Sequence, residues 1–111
     1  MATKVDYFLN LAEQTARKIT WNVGEWTAFL CTAGRLYKYS FPDQLLIYAQ
    51  CPQATAVADY NIWNTRMGRY VRRGTAGIGL LDDAAEPMQV KYVFDVADTG
   101  RRENSKTPYL W

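Results

Sequence analysis

The chain has 111 residues, with 13 Lys and Arg against 11 Asp and Glu for a net charge of +2, and it contains no histidine. At that length one domain is expected, burying roughly two thirds of its unfolded surface, so a core can form without disulfide or metal staples. The missing histidine excludes Ser-His-Asp and Cys-His nucleophile pairs and HExxH zinc helices, and hydrolysis of the common kinds is not expected.

Residues 3 to 19 carry Val5, Phe8, Leu9, Ala12, Ala16 and Ile19 at spacings of three and four, one face of a helix that Thr3 would cap. Residues 21 to 39 repeat the spacing through Val23, Trp26, Phe29, Leu30, Ala33, Leu36 and Tyr37, with Asn22 as N-cap and Glu25 completing a capping-box arrangement. Gly34 weakens the last turns of that helix, since glycine costs about 1 kcal/mol against alanine in a helix interior. Ser40-Phe41-Pro42-Asp43 announces a third helix, running through Gln50 and stopped by Pro52, with Phe41 stapling it to the core. Trp21, Trp26, Tyr37 and Tyr48 are expected in that core.

The texture changes after Pro52. Residues 54 to 58 predict a brief strand, and Asp59 caps a helix of one to two turns through Ile62, Trp63 and Met67 that Gly68 ends. Residues 74 to 77 read as a turn, 78 to 81 as a buried strand and 82 to 87 as an acidic hairpin loop. Residues 88 to 96 alternate, placing Met88, Val90, Tyr92, Phe94 and Val96 on one face and Gln89, Lys91 and Asp95 on the other, the period of a half-exposed strand. The expected fold is α+β: N-terminal helices followed by a small antiparallel sheet with a β-hairpin, one domain over residues 1–97 and a polar tail over 98–111.

Other features point to structure rather than chemistry. Cys31 and Cys51 are too few for a zinc ribbon and read as buried free thiols. Asp82, Asp83 and Glu86 lack the Asp/Asn ladder of a calcium loop, and Asp95 and Asp98 are expected to form weak surface pairs with Arg101 or Arg102. No cofactor or metal is expected. The first ten residues lack the apolar region and cleavage site of a secretory leader, and no apolar run approaches the roughly 20 residues of a membrane span, so a cytoplasmic protein is expected.

The small net charge hides an uneven distribution. Residues 35 to 73 hold six cations (Arg35, Lys38, Arg66, Arg69, Arg72, Arg73) against Asp43 and Asp59, a net +4. Four of those arginines fall within eight residues, interleaved with Tyr60, Trp63 and Tyr70. Single-stranded nucleic acid suits such a run, because guanidinium groups track phosphates and flat side chains stack on unpaired bases. The nearby glycines Gly68, Gly74, Gly77 and Gly79 would let backbone approach a ligand. The residue types also allow a plainer account, in which the arginines form a solvated face, Trp63 and Tyr70 belong to the core and the glycines serve the hairpin.

The order of these segments carries more information than any one of them. The run from Tyr39 through Ser40, Gln50, Pro52 and Val57 is followed by Trp63 and then by Gly68-Arg69-Tyr70-Val71-Arg72-Arg73-Gly74-Thr75-Ala76-Gly77-Ile78. Over residues 20 to 100 this resembles the N-terminal single-stranded-DNA-binding domain of ArdC-type antirestriction proteins, and the similar domain of large helicase- and methylase-like proteins of conjugative elements. Gln50, Trp63, Gly68, Arg69, Arg72, Arg73, Gly74, Gly77 and Ile78 match the family pattern. The resemblance implies single-stranded DNA binding in the service of a mobile genetic element, against a host defence system. ArdC-type proteins continue into a metalloprotease-like domain with an HExxH-type site, an activity not expected of a chain without histidine. The nucleic-acid-binding residues expected are therefore Arg66, Arg69, Tyr70, Arg72, Arg73 and Gly74, with Trp63, Tyr60 and Gln50 beside them, and no catalytic role. The alternative is a small inhibitor of the anti-CRISPR kind, binding a defence nuclease or its nucleic-acid complex directly.

Overall fold

A computed structural model describes residues 3–102. Helix α1 (Lys4–Trp21) starts at a full capping box, in which the Thr3 hydroxyl accepts from the Asp6 amide and the Asp6 carboxylate accepts from the Thr3 amide, both at 3.1 Å. Asn22, in extended conformation, ends α1 and caps helix α2 (Val23–Arg35) by accepting from the Glu25 amide. The second helix stops four residues before its expected end. Beyond Gly34 the Leu36 carbonyl is taken by the Tyr39 amide and the Gln44 side chain, so the chain turns instead of continuing. Helix α3 (Phe41–Gln50) follows from the Ser40 cap with Pro42 in its first turn, and it buries Leu45, Leu46 and Ile47 in succession because α1, α2 and a strand all pack on it.

Five short strands follow: β1 (Val57–Ala58), β2 (Arg69–Val71), β3 (Ile78–Asp82), β4 (Gln89–Asp95) and β5 (Thr99–Arg101), with a π-helical turn at Ile62–Arg66 and a 3-10 turn at Val96–Asp98. They form two antiparallel sheets, one ordered β1-β4-β3 and one of β2 with β5. The β3–β4 hairpin pairs Ile78 with Val93 and Asp82 with Gln89. The fold is therefore α+β with helices first, as expected. The main core joins Phe8 of α1 and Leu46 and Ile47 of α3 to Ile78, Leu80 and Val93 of the hairpin. Smaller clusters form around Phe29 between the helices and around Trp63 beneath β1.

Several expectations fail for identifiable reasons. The tail expected from residue 98 begins as structure: Thr99–Arg101 is a strand on β2, and Thr99 is buried. Residues 103–111 of that expected tail lie outside the described residues. In β4 the buried side chains are Val93 and Asp95, on the face opposite the one expected to turn inward. Asp95, expected at the surface, accepts from the amides of Thr55, Ala56 and Ala97 at 3.0–3.2 Å, tying the start of β1 to the 3-10 turn. Trp21 is 86% exposed, Trp26 and Tyr37 are also exposed, and Tyr48 is half-buried against the Phe29 cluster. Cys31 is exposed, and Cys51 is half-buried, which pushes its thiol pKa up. Phe41 does meet the core, edge-on to Phe29 at 5.8 Å, with half its surface open.

Candidate nucleic-acid interface

The arginine-rich segment is built on a buried tryptophan. Asp59 caps the turn after it by accepting from the Ile62 amide at 2.8 Å, and the Met67 amide reaches back to the Ile62 carbonyl at 3.1 Å, the wide closure of a π-turn. Inside that turn Trp63 is fully buried, and its indole N–H donates to the Phe94 carbonyl of β4 at 2.8 Å. Trp63 is therefore a post that holds the turn on the sheet. It is not a surface on which a base could stack, because burial removes its face from solvent.

Gly68 then adopts φ of +62°, a left-handed conformation that a side chain would resist, and redirects the chain into β2. Within β2 the side chains alternate. Arg69 is 8% exposed, and its Nε donates to the Thr99 hydroxyl at 2.8 Å, while that hydroxyl donates in turn to the Val96 carbonyl. Arg69 is thus committed to holding β5, which corrects its expected role as an exposed phosphate contact. Tyr70 points the other way and is 43% exposed. Its ring lies across Gly100 of β5: a Cβ at that glycine would sit 2.2 Å from Tyr70 Cζ. The Arg102 guanidinium stands 5.9 Å from the Tyr70 ring centroid, within cation–π range, and donates to the Asn64 side chain on the π-turn.

After β2, Arg72 crosses to the 3-10 turn and β5, donating its amide to the Asp98 carbonyl and its Nε to the Thr99 carbonyl at 3.3 Å. Arg73 and Gly74 are exposed in the turn beyond, where Gly74 has φ of +82° with open space around it, so its conformation rather than crowding requires glycine. Arg66 and Tyr60 are exposed on the π-turn segment, which packs on β2. None of Arg66, Arg69, Arg72, Arg73, Arg101 and Arg102 is ion-paired with a carboxylate among the described residues, so the pairs expected with Asp95 and Asp98 do not form there.

One expected contact lies elsewhere. The Gln50 amide group, at the end of α3, donates to the Gly79 carbonyl at 2.8 Å and accepts from the Gly79 amide at 2.9 Å, standing in for a neighbouring strand along the outer edge of β3. Arg35 of the basic segment is likewise bonded within the fold, donating to the carbonyls of Ala54 and Pro52 although the residue is exposed. Two arginines enter that sequence reasoning left in the tail. Arg101 is the register partner of Arg69, and Arg102 stands over Tyr70. A strand of three residues carries almost no periodic signal, and Thr99-Gly100-Arg101 gives away its pairing only once Tyr70 is known to need a glycine opposite.

The π-turn, β2, β5 and the residues flanking those strands carry five exposed arginines, Arg66, Arg72, Arg73, Arg101 and Arg102, of which Arg102 stands over the seated Tyr70 while Arg101, paired with Arg69, leaves β5 on the opposite side of the two strands. Chemically this surface offers permanent cations in fork geometry beside a flat aromatic held in place, the means of holding an anion next to a planar ring. Among the described residues no three acidic or thiol side chains gather to hold a metal ion, and no helix is long and apolar enough to cross a membrane. Comparison with known proteins returned no match to a family model, a curated protein or a solved structure.

Proposed function

We propose that this chain binds single-stranded DNA without sequence preference, through the face formed by the π-turn and the β2–β5 pair, as a non-catalytic domain that serves a mobile genetic element against host defence. The observation that carries the reading is the placement of Tyr70 over Gly100, with arginines on and beside both strands and on the adjoining turn that have no carboxylate partner among the described residues. Phosphates would meet Arg66, Arg72, Arg73, Arg101 and Arg102, and a base would stack on Tyr70, an interaction of about 1–3 kcal/mol. The resemblance of residues 20 to 100 to the ArdC-type domain points to the same ligand and supplies the antirestriction setting.

Fluorescence anisotropy with a labelled oligothymidine across a salt series tests it. If all five arginines reach phosphates, the log–log slope of affinity against salt is about −3.5, at about −0.7 per phosphate for a single strand. Arg72→Ala with Arg73→Ala is expected to weaken binding and flatten that slope by about 1.4. Thermal stability should change little, because both side chains are exposed and the Arg72 Nε bond, at 3.3 Å, is a long one. A double variant that binds as tightly and with the same slope overturns the assignment.

A second reading rests on a separate observation. Val23 is 83% exposed, and Trp21, Trp26, Leu30, Tyr37 and Phe41 are open as well, an apolar surface of the kind that meets protein partners. On this reading the chain is an inhibitor that grips a defence nuclease. Tight binding of a nuclease with no shift of free oligonucleotide in a gel would favour it over the first.

A further inference from the structure

Beside the arginine face lies a cleft of about 340 Å³ lined by Lys38, Tyr39, Val57, Ala58, Ile62, Arg66 and Met67. That is near the lower end of the roughly 300–1,000 Å³ of small-ligand sites. Its wall and floor are uncharged. Val57 and Ala58 belong to β1, while Ile62 and Met67 are the two ends of the π-turn, joined by the Met67 amide to Ile62 carbonyl bond. Tyr39 supplies a flat side, and its hydroxyl donates to the Val57 carbonyl at 2.6 Å, so the ring is fixed in place. Burial pushes its phenol up to about 12, which keeps that donor protonated at any physiological pH. The charged groups lining the cleft are two cations, Arg66 and Lys38, the latter with its Nζ 6.0 Å from the Tyr37 ring centroid. The Asp59 carboxylate, which together with Asp43 acts electrostatically on the Tyr39 phenol, accepts from the Ile62 amide.

A ligand complementary to this cleft has a flat, weakly polar ring for Tyr39, Ile62 and the polarisable Met67 thioether, and an anionic group one side-chain length away for Lys38 and Arg66. A neutral apolar molecule makes no use of the two charges. We propose that the cleft receives one unpaired nucleobase of the bound strand, with Lys38 and Arg66 on the phosphates that flank it. The proposal rests on the strand-binding reading above and deepens it, because Arg66 is shared between the cleft and the arginine face. It makes the π-turn the element that positions both: its closing residues line the slot, and its buried Trp63 fixes the slot on the sheet.

The test titrates the intact chain with 5′-thymidine monophosphate and, separately, with thymidine, following the Met67 and Ile62 methyl signals by NMR. In parallel, anisotropy compares an oligothymidine with an abasic strand of equal length, both on the Tyr70→Ala protein so that stacking on Tyr70 does not enter the comparison. The expected results are methyl shifts with the nucleotide, at least several-fold weaker binding of the nucleoside and of the Lys38→Ala variant, and about tenfold tighter binding of the base-bearing strand than of the abasic one. Equal binding of the two strands with silent Met67 and Ile62 methyls overturns the cleft and leaves strand binding intact. Methyl shifts with the nucleotide in a protein that binds neither strand keep the cleft as a nucleotide site and sink the strand reading. Nucleoside and nucleotide binding alike removes the role of Lys38 and Arg66 and overturns the proposal.

Discussion

Tyr70 and Gly100 face each other across the β2–β5 pair, and the glycine is what lets the ring lie down on the neighbouring strand. The clash that a methyl group would create falls on Cζ, Oη and Cε1, the far end of a half-exposed side chain that can swing into solvent. Gly100→Ala is therefore expected to change stability by no more than about 1 kcal/mol, near the range of surface substitutions, while unseating the ring and parting it from Arg102. Strand affinity should fall about fivefold, to the level of Tyr70→Ala, if a seated aromatic is worth the lower end of the stacking range. Thermal melts and anisotropy on the two variants check this. A Gly100→Ala protein that binds like wild type would falsify the idea that the seat matters. Arg69 illustrates the opposite case at the same scale. Arg66 and Arg72, three residues to either side of it, are exposed, whereas Arg69 is buried and its Nε bond to the Thr99 hydroxyl makes it structural.

At the scale of elements, α2 and α3 are joined by a bond that reports on their packing. The Tyr48 hydroxyl donates to the Glu25 carboxylate at 2.6 Å, which holds that carboxyl below the ordinary glutamate value and pushes the phenol up, with Lys18 at 3.4 Å adding to the effect on Glu25. A carboxyl whose pKa is lowered on folding contributes stability that is present above its unfolded value and lost as pH falls through its folded one. Tyr48→Phe is expected to move the Glu25 midpoint up toward the ordinary value and to remove that part of the acid dependence. An NMR titration of the Glu25 carboxyl checks it, and an unchanged midpoint would show that Lys18 alone sets the shift. Elements whose signals are local were legible in the sequence: the Thr3, Asn22 and Ser40 caps act over three residues, and the hairpin follows from its own alternation. What the sequence hid acts over long separations. Asp95 is buried by amides 39 and 40 residues away, Gln50 meets Gly79 at a separation of 29, and Trp63 finds its acceptor 31 residues on. Periodicity also could not choose between the two apolar stripes of α2. Phe29 and Thr32 turn inward, whereas Val23, Trp26 and Leu30, at the same spacing, stay open.

Across the whole molecule, the two surfaces with something to offer a partner sit on different elements. The arginines and Tyr70 are carried by the π-turn, β2 and β5, which pack on one another, while the open apolar stripe belongs to α2, which packs on α1 and α3. The two also differ in chemistry, since the first is polar and cationic and the second is almost uncharged, with Glu25 engaged by Tyr48 and Lys18. Substitutions on one should therefore leave the other's binding untouched, because distant sites without shared partners add independently. Val23→Ser with Leu30→Ser is expected to lower the binding of a hydrophobic dye while leaving oligothymidine affinity and its salt slope as in wild type. Arg101→Ala with Arg102→Ala is expected to do the reverse, flattening the slope by about 1.4 with dye binding unchanged. Loss of strand affinity in the Val23 and Leu30 variant, equal to that of the arginine pair, would mean that a bound strand extends over α2 and that the π-turn and β2–β5 face is only part of the interface.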